Sequence, residues 1–268
     1  MPRRPDRPWR GGGPLGSARR AVVVSPHLDD AALSLGATIA RATARGAEVA
    51  VVTVFAGDPG SAAAAGPWDH ACGFPSEGEA ARARRAEDER ACAILGARPI
   101  WLPFGDEQYA GGRTEAAVMG ELAPLLADAD VVLVPGHPLA NGDHAWLARA
   151  LAAAPPAAPL ALYAEQPYAA DAAIGRARGR ALLRAARIAA TTGLGARPRQ
   201  DLRPVAPTAD GRPWRWEALR PTRGERRRKE EAIRAYASQL ASLGGQLLRR
   251  IHLDEAVEGG ERVAHRAA

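Results

Sequence analysis

The stretch AVVVSPHLDDAALSLGATIARATARGAEVAVVTVF, residues 21–55, decides the fold class of this chain. It holds two apolar, β-branched runs at 21–24 and 48–55, and between them residues 31–45 repeat apolar side chains at helical spacing. Gly46 ends this helix, because glycine is the usual residue just past a helix C-terminus. A buried strand, a helix and a second buried strand form the unit from which parallel sheets are built.

The same alternation continues along the chain and predicts one large domain. Further strands are predicted at 100–103, 131–135 and 160–163, and further helices at 79–95, at 114–127 and from Asp143 onward. Strands that alternate with helices of this length indicate an α/β fold. We expect a single Rossmann-like domain over residues 19–245, with a mostly parallel sheet flanked by helices.

The two ends of the chain carry weaker signals. Residues 1–18 are rich in Pro, Gly and Arg and are expected to form a disordered basic tail. In the last third, residues 171–190 are expected to be helical, 197–222 to form a strand pair or a long loop, and 223–243 to form a helix. Residues 246–268 are expected to be a polar C-terminal tail.

Composition excludes several classes of function. The chain has 268 residues, 47% of them apolar and 25% charged, as is usual for a globular protein. The net charge of +6 comes from scattered arginines without a recognition motif, so no nucleic-acid partner is expected. The chain has no apolar run long enough for a signal peptide or a membrane span, so we expect a cytoplasmic protein without a membrane partner. Both a monomer and a homo-oligomer are compatible with the sequence.

Two loops rich in His and Asp follow predicted strands. Residues 25–30 read SPHLDD and follow the first strand, and residues 136–144 read GHPLANGDH and follow the strand at 131–135. The carboxyl ends of parallel strands meet at one rim, where ligands bind. Imidazole and carboxylate groups are zinc ligands, and a catalytic zinc takes three of them. A metal site is therefore predicted at this rim, with helix capping by Asp29 and Asp30 as the structural alternative.

These motifs resemble the LmbE/PIG-L family of N-deacetylases, which includes GlcNAc-PI deacetylase-like enzymes and sugar deacetylases of GPI-anchor, mycothiol and antibiotic biosynthesis. The family motif Pro-His-x-Asp-Asp matches residues 26–30, and the later motif that ends in Asp-His matches 143–144. The resemblance spans about residues 20–243. It also includes the segments 53–57, 84–96, 162–168 and 236–239.

The resemblance implies a zinc-dependent hydrolase that removes an N-acyl group, first of all N-acetyl, from a small molecule that contains an amino sugar. His27, Asp30 and His144 would be the metal ligands, and Asp29 the general base. Zn²⁺ is the expected cofactor, although Fe²⁺ and other divalent ions also accept such ligands. Two alternatives stay open: an amidase for a non-sugar acylated metabolite or thiol conjugate, and a zinc-binding chain without activity. A dinucleotide site is not expected, because no G-x-G-x-x-G follows the first strand.

One position departs from the family pattern. Where the second motif usually has a histidine that helps to stabilise the transition state, this chain has Asn141. An amide donates a hydrogen bond but carries no positive charge at neutral pH. Either Asn141 serves as a neutral donor, or His137 on the same loop takes over this role, or the activity is reduced or altered.

Other residues are candidates for substrate contacts on weaker grounds. The resemblance suggests Arg84 and Asp106, for which the structural alternatives are an ion pair with Glu87 one helical turn away and a turn after a glycine. Trp68 lies in the long loop 56–78, which suits either a sugar-stacking wall or packing within the loop.

Two tyrosines and an aspartate complete the candidates. The hydroxyl groups of Tyr163 and Tyr168 suit an oxyanion or a sugar hydroxyl, although half-buried tyrosines with satisfied hydroxyls explain them as well. Asp143 is expected to orient an imidazole or to cap the following helix rather than to bind the metal.

Overall fold

The computed structural model describes residues 15–109, 113–174 and 214–266. Its described strands are β1 Arg20–Ser25, β2 Glu48–Thr53, β3 Arg98–Trp101, β4 Val131–His137, β5 Leu160–Ala164, β6 Trp214–Leu219 and β7 Glu261–Arg266. They form one seven-stranded sheet in the order β3-β2-β1-β4-β5-β7-β6. Strands β1 to β5 pair in parallel, whereas β7 runs antiparallel to both β5 and β6. The predicted α/β domain with a mostly parallel sheet is confirmed.

The helices connect these strands and cover the sheet. They are α1 Asp30–Ala44, α2 Pro67–Ala71, α3 Glu77–Leu95, α4 Glu115–Leu126, α5 Gly142–Ala153, α6 Arg223–Ala235, α7 Ala237–Leu243 and α8 Leu247–Glu258. A 3₁₀ turn covers Glu107–Tyr109, and residues 168–174 are helical. Within the described ranges, every helix is too short or too polar to span a bilayer.

The central strands β1 and β4 are buried on both faces, which explains their continuous apolar runs. In β1, Val23 packs with α1, α3 and α6 on one face, whereas Val22 and Val24 pack with α4 and α5 on the other. Successive residues of a strand point to opposite faces, so one run of valines supplies both cores.

The C-terminal expectations differ most from the structure. The expected polar tail at 246–268 instead contains α8 and β7, and β7 lies inside the sheet with Val263 and Ala264 fully buried. Its sequence has few apolar residues, so only the pairing with β5 and β6 reveals it as a strand. The helix expected at 223–243 is two helices that meet at Tyr236.

The remaining terminal expectations are met only in part within the described residues. β6 lies within the expected strand pair at 197–222, but its partner is β7, and residues 197–213 lie outside the described residues. Residues 1–14 and 175–190 are outside them too. Leu15 and Ala18 are buried in the core, so the expected tail at 1–18 ends earlier than its composition suggested.

A buried lysine holds the C-terminal elements against α1. Lys229 of α6 donates to Glu255 at 2.5 Å and to Glu261 at 2.7 Å, and all three side chains are almost fully buried. Glu261 also accepts from the backbone amides of Ala37 and Thr38 in α1, at 2.9 and 2.7 Å. Burial opposes the charge of Lys229, but the two carboxylates outweigh burial and hold its pKa above the usual value. This network joins α1, α6, α8 and β7.

We expect Lys229→Met to lower the free energy of unfolding by about 3–5 kcal/mol, because it leaves two buried carboxylates without their cation. Urea denaturation followed by circular dichroism measures this. Arg234→Met is the control, since Arg234 forms an exposed pair with Glu230 on the same helix, and its loss should change stability by less than about 1 kcal/mol. Equal losses in the two variants would contradict a structural role for the buried network.

Candidate metal centre

The loop after β1 is held in a tight turn by hydrogen bonds of Ser25 and Asp30. The hydroxyl of Ser25 donates to the carbonyl of His27 at 2.6 Å and accepts from the amide of Ala31 at 3.1 Å. Asp29 stands at the N-cap of α1 without a capping hydrogen bond from its side chain, and Asp30 Oδ2 accepts from the amide of His27 at 2.8 Å. The capping alternative is therefore wrong for Asp29, whose carboxylate faces a cavity.

Three ligand atoms meet at the carboxyl rim of the sheet. His27 Nδ1 lies 3.1 Å from His144 Nε2, and Asp30 Oδ2 lies 3.3 Å from the first nitrogen and 3.1 Å from the second. A tetrahedral zinc with bonds of about 2.0–2.1 Å needs ligand atoms about 3.3 Å apart. The three atoms thus form a triangle of the size that a divalent ion requires, and the residues fit such an ion.

The far ring nitrogen of each histidine is bonded to a buried carboxylate. His27 Nε2 lies 3.0 Å from Asp143 Oδ2, and His144 Nδ1 lies 2.6 Å from Glu165 Oε1. When His27 Nε2 and His144 Nδ1 donate to these carboxylates, His27 Nδ1 and His144 Nε2 keep their lone pairs for a metal ion. Carboxylate partners of this kind fix the tautomer of metal-binding histidines and raise their basicity.

The charges around this triangle favour a cation. Burial opposes protonation of both histidines, but the carboxylates outweigh it and raise the pKa of His27 to about 9 and that of His144 to about 10. Burial opposes ionisation of Asp30, yet the two histidines hold its pKa well below the usual range. Burial also raises the pKa of Asp29 to about 6; Asp30 adds to this effect and Arg84 opposes it.

A cavity of about 220 Å³ is lined by His27 and Asp30, two of the three ligand residues. Its walls also include seven other residues singled out from the sequence: Asp29, Trp68, Arg84, Asp106, Asn141, Asp143 and Tyr168. Segments that are far apart in the sequence thus line one cavity, at the carboxyl rim of the sheet where a metal site was predicted.

Comparison with known proteins agrees with this geometry. The family model described as PIG-L, GlcNAc-PI de-N-acetylase, matches residues 22–155. The chain belongs to the PIG-L family. The A40926 pseudoaglycone deacetylase Dbv21 is 28% identical to it over 93% of this chain and 99% of that chain, with a TM-score of 0.67.

Two more distant structures share the PIG-L fold. The zinc-inhibited form of the teicoplanin deacetylase Orf2 is 24% identical, over 92% of this chain and 98% of that chain, with a TM-score of 0.62. The N,N'-diacetylchitobiose deacetylase from Pyrococcus horikoshii is 17% identical, over 94% and 84% of the two chains, with a TM-score of 0.54.

Asn141 and Tyr168 form a polar pair next to the ligands in this PIG-L domain. Asn141 is the N-cap of α5, and its Oδ1 accepts from the amide of Asp143 at 2.8 Å. Tyr168 lines the same cavity as Asn141, and its ring stands edge-on to His144 with centroids 5.5 Å apart. The pair therefore lines the cavity wall beside His144.

Two candidate residues lie away from the cavity. Tyr163 is fully buried, and its hydroxyl donates to the carbonyl of Val24 at 3.0 Å, so the expected substrate contact is wrong. The alternation of β5 turns this side chain into the core under α1. His137 ends β4 and lies beside Trp216, with ring centroids 6.2 Å apart, rather than in the cavity wall.

Arg84 and Asp106 belong to a buried charged wall. Arg84 Nη1 donates to Asp69 Oδ1 at 3.1 Å and lies 3.8 Å from Asp106 Oδ2. The expected alternative, an ion pair with Glu87, is wrong, because Glu87 accepts from the amide and hydroxyl of Ser238.

Asp106 and Trp68 both line the cavity, and each also has a structural role of the kind expected as its alternative. Asp106 also accepts from the amide and side chain of Gln108, at 3.1 and 3.0 Å, and so forms a turn. Trp68 lines the cavity and donates from Nε1 to Gln239 Oε1 at 2.9 Å, which ties the loop at 56–78 to α7.

The sequence did not identify several residues that build the site. Glu165 was not among the candidates, although its place at the carboxyl end of β5 is a signal of the same kind as that of His27. Gln239 meets the cavity because the chain turns at Tyr236. Arg113, which donates to Asp143, gave no signal in the sequence.

We expect His144→Ala to weaken zinc binding by at least about 100-fold, because it removes a ligand rather than a supporting group. His70→Ala is the control, since His70 is an exposed histidine on α2. Zinc affinity is measured by competition with a chromogenic chelator. Unchanged affinity in His144→Ala would place the ion elsewhere.

Proposed function

We propose that this chain is a metal-dependent hydrolase that removes an N-acyl group, most simply N-acetyl, from a small molecule containing an amino sugar. The observation that carries the proposal is the triangle of His27 Nδ1, Asp30 Oδ2 and His144 Nε2, beside a cavity that is lined by two of these ligand residues and by Asp29. The family description and the similarity to Dbv21, a pseudoaglycone deacetylase, support deacetylation as the reaction.

The ligand set suits Zn²⁺ and accepts Fe²⁺ or another divalent ion. When bound, such an ion polarises the amide carbonyl and lowers the pKa of a water molecule. His27 and His144 hold it as neutral ligands, with their second nitrogens on Asp143 and Glu165. These carboxylates keep both rings from rotating during the reaction.

Asp29 is the residue placed to move the proton. Its carboxylate is buried, makes no capping hydrogen bond and lines the cavity next to the ligand Asp30. As general base, it takes a proton from the water that attacks the amide carbon. It then passes this proton to the amine nitrogen as the C–N bond breaks, which leaves a free amine and a carboxylic acid.

The pair of Asn141 and Tyr168 supplies neutral donors for the developing oxyanion. Asn141 Oδ1 is occupied by the amide of Asp143, so the amide nitrogen of its side chain is the end that can donate to a substrate. His137 lies outside the cavity wall, which favours Asn141 over it as the replacement for the usual histidine.

Three other residues of the cavity wall suit a sugar. Trp68 is held by Gln239 and offers an apolar face for ring stacking, while Arg84 and Asp106 offer charged groups for hydroxyls. A complete set of ligands together with Asp29 favours a working enzyme over a silent family member.

We expect Asp29→Asn to lower kcat by about 10²- to 10⁴-fold while zinc affinity stays within a few-fold, because an amide cannot accept the proton of the attacking water. Acetate release from N-acetylglucosamine conjugates and chelator competition measure the two quantities. Asp128→Asn, at an exposed carboxylate, is the matched control. Full activity in Asp29→Asn would overturn the assignment of the base.

We expect Tyr168→Phe to lower kcat by about 10²-fold with little change in KM, because its hydroxyl acts on the oxyanion. Tyr163→Phe is the matched control: it loses a core hydrogen bond to Val24, worth about 1 kcal/mol of stability, and keeps its activity. Steady-state kinetics of both variants provide the comparison. Equal activity of the two would remove Tyr168 from the reaction.

A further inference from the structure

Arg113 lies behind the metal ligands, where two aromatic rings hold its guanidinium. The guanidinium carbon lies 4.6 Å from the ring centroid of Phe55 and 5.2 Å from that of Trp146. Its side chain is mostly buried, and its Nη1 donates to the carbonyl of Gly105 at 3.3 Å. An arginine packed against two rings has few other orientations, so its remaining donors point in a fixed direction.

The strongest hydrogen bond of Arg113 is to the carboxylate behind His27. Nη2 donates to Asp143 Oδ1 at 2.6 Å, while Asp143 Oδ2 lies 3.0 Å from His27 Nε2 and accepts from the amide of Glu107 at 2.9 Å. Both oxygens of Asp143 are therefore used, and its side chain is only 2% exposed. Arg113, Asp143 and His27 form one continuous chain that ends at the metal position.

The physical role of Arg113 follows from the burial of Asp143. A buried carboxylate without a cation is destabilised, and it turns toward other donors. This movement would loosen the hydrogen bond that orients the ring of His27. Phe55 strengthens the link, since its ring also packs against that of His27 with centroids 5.8 Å apart.

We propose that Arg113 is a positioning residue that sets the metal affinity of this site by fixing Asp143 against His27. This inference rests on the proposed function, because it presumes that His27 binds a metal ion. It assigns Arg113 no contact with the substrate, and Arg113 is not among the residues of the cavity wall.

Arg85 offers a matched control within the same chain. Its guanidinium also lies over an aromatic ring, that of Trp101 at 5.3 Å, and it donates to the carbonyl of Ala56 at 2.7 Å. Neither of these groups contacts a metal ligand. A general loss of aromatic packing would therefore affect Arg85→Met as much as Arg113→Met.

The test is zinc affinity, measured by chelator competition on the full chain. We expect Arg113→Met to weaken zinc binding by about 10-fold or more, as for other groups that support metal ligands. Arg113→Lys should recover part of this loss, because it keeps the charge, and Arg85→Met should bind zinc within about twofold of the wild type. Arg113→Gln serves in the same comparison if Arg113→Met does not fold. The proposal would be overturned if Arg113→Met or Arg113→Gln folds and binds zinc within twofold of the wild-type affinity.

A double-mutant cycle shows whether Arg113 acts through Asp143. In an Asp143→Asn background, Arg113→Met should change zinc affinity little further, whereas independent effects would multiply and would contradict the proposal. Zinc binding by the wild type distinguishes a failure of this inference from a failure of the proposed function. If the wild type does not bind zinc, the proposed function fails; if it binds zinc as tightly as Arg113→Met does, only the role of Arg113 fails.

Discussion

One carboxylate oxygen, Asp30 Oδ2, is the point around which the site is arranged. It accepts from the amide of His27 and lies 3.1–3.3 Å from a nitrogen of each histidine. This requires the loop after β1 and the first turn of α5 to arrive at the same place. Parallel pairing of β1 with β4 brings these segments together, since the carboxyl ends of both strands meet at one rim. The metal site is thus a consequence of the sheet order.

Two buried ionic networks hold this arrangement from different sides. Lys229, Glu255 and Glu261 fasten the C-terminal elements to α1, the helix that begins with Asp30. Arg113 and Asp143 fix the ring of His27. Buried charges are unfavourable unless they are paired, so each network is stable only in one arrangement of its helices and strands. The C-terminal elements and Arg113, which lie far in sequence from the loop after β1, therefore contribute to the position of the ligands.

The sequence predicted the parts of the site that depend on local pattern. His27, Asp29 and Asp30 follow one apolar run and His144 lies in the loop after another, so strand ends and ligand chemistry predicted a metal site at this rim. The choice of ligands and of Asp29 as base came from the family resemblance. Tyr163 was wrongly expected near the substrate because neighbouring residues of a strand face opposite sides, and the sequence does not show which side is the cavity. β7 and Arg113 depend on contacts with distant segments, so no local pattern revealed them. The ion pair of Arg84 with Asp69 joins α3 to α2, so no local pattern revealed it either.

The most direct test of this account is zinc-dependent acetate release by the wild type from a panel of N-acetylglucosamine conjugates. We predict that protein purified without chelator contains zinc, releases acetate, loses this activity when the zinc is removed, and regains it when zinc is restored. A protein that holds no divalent ion would contradict the account. Acetate release that is unaffected by removal of the metal would contradict it as well.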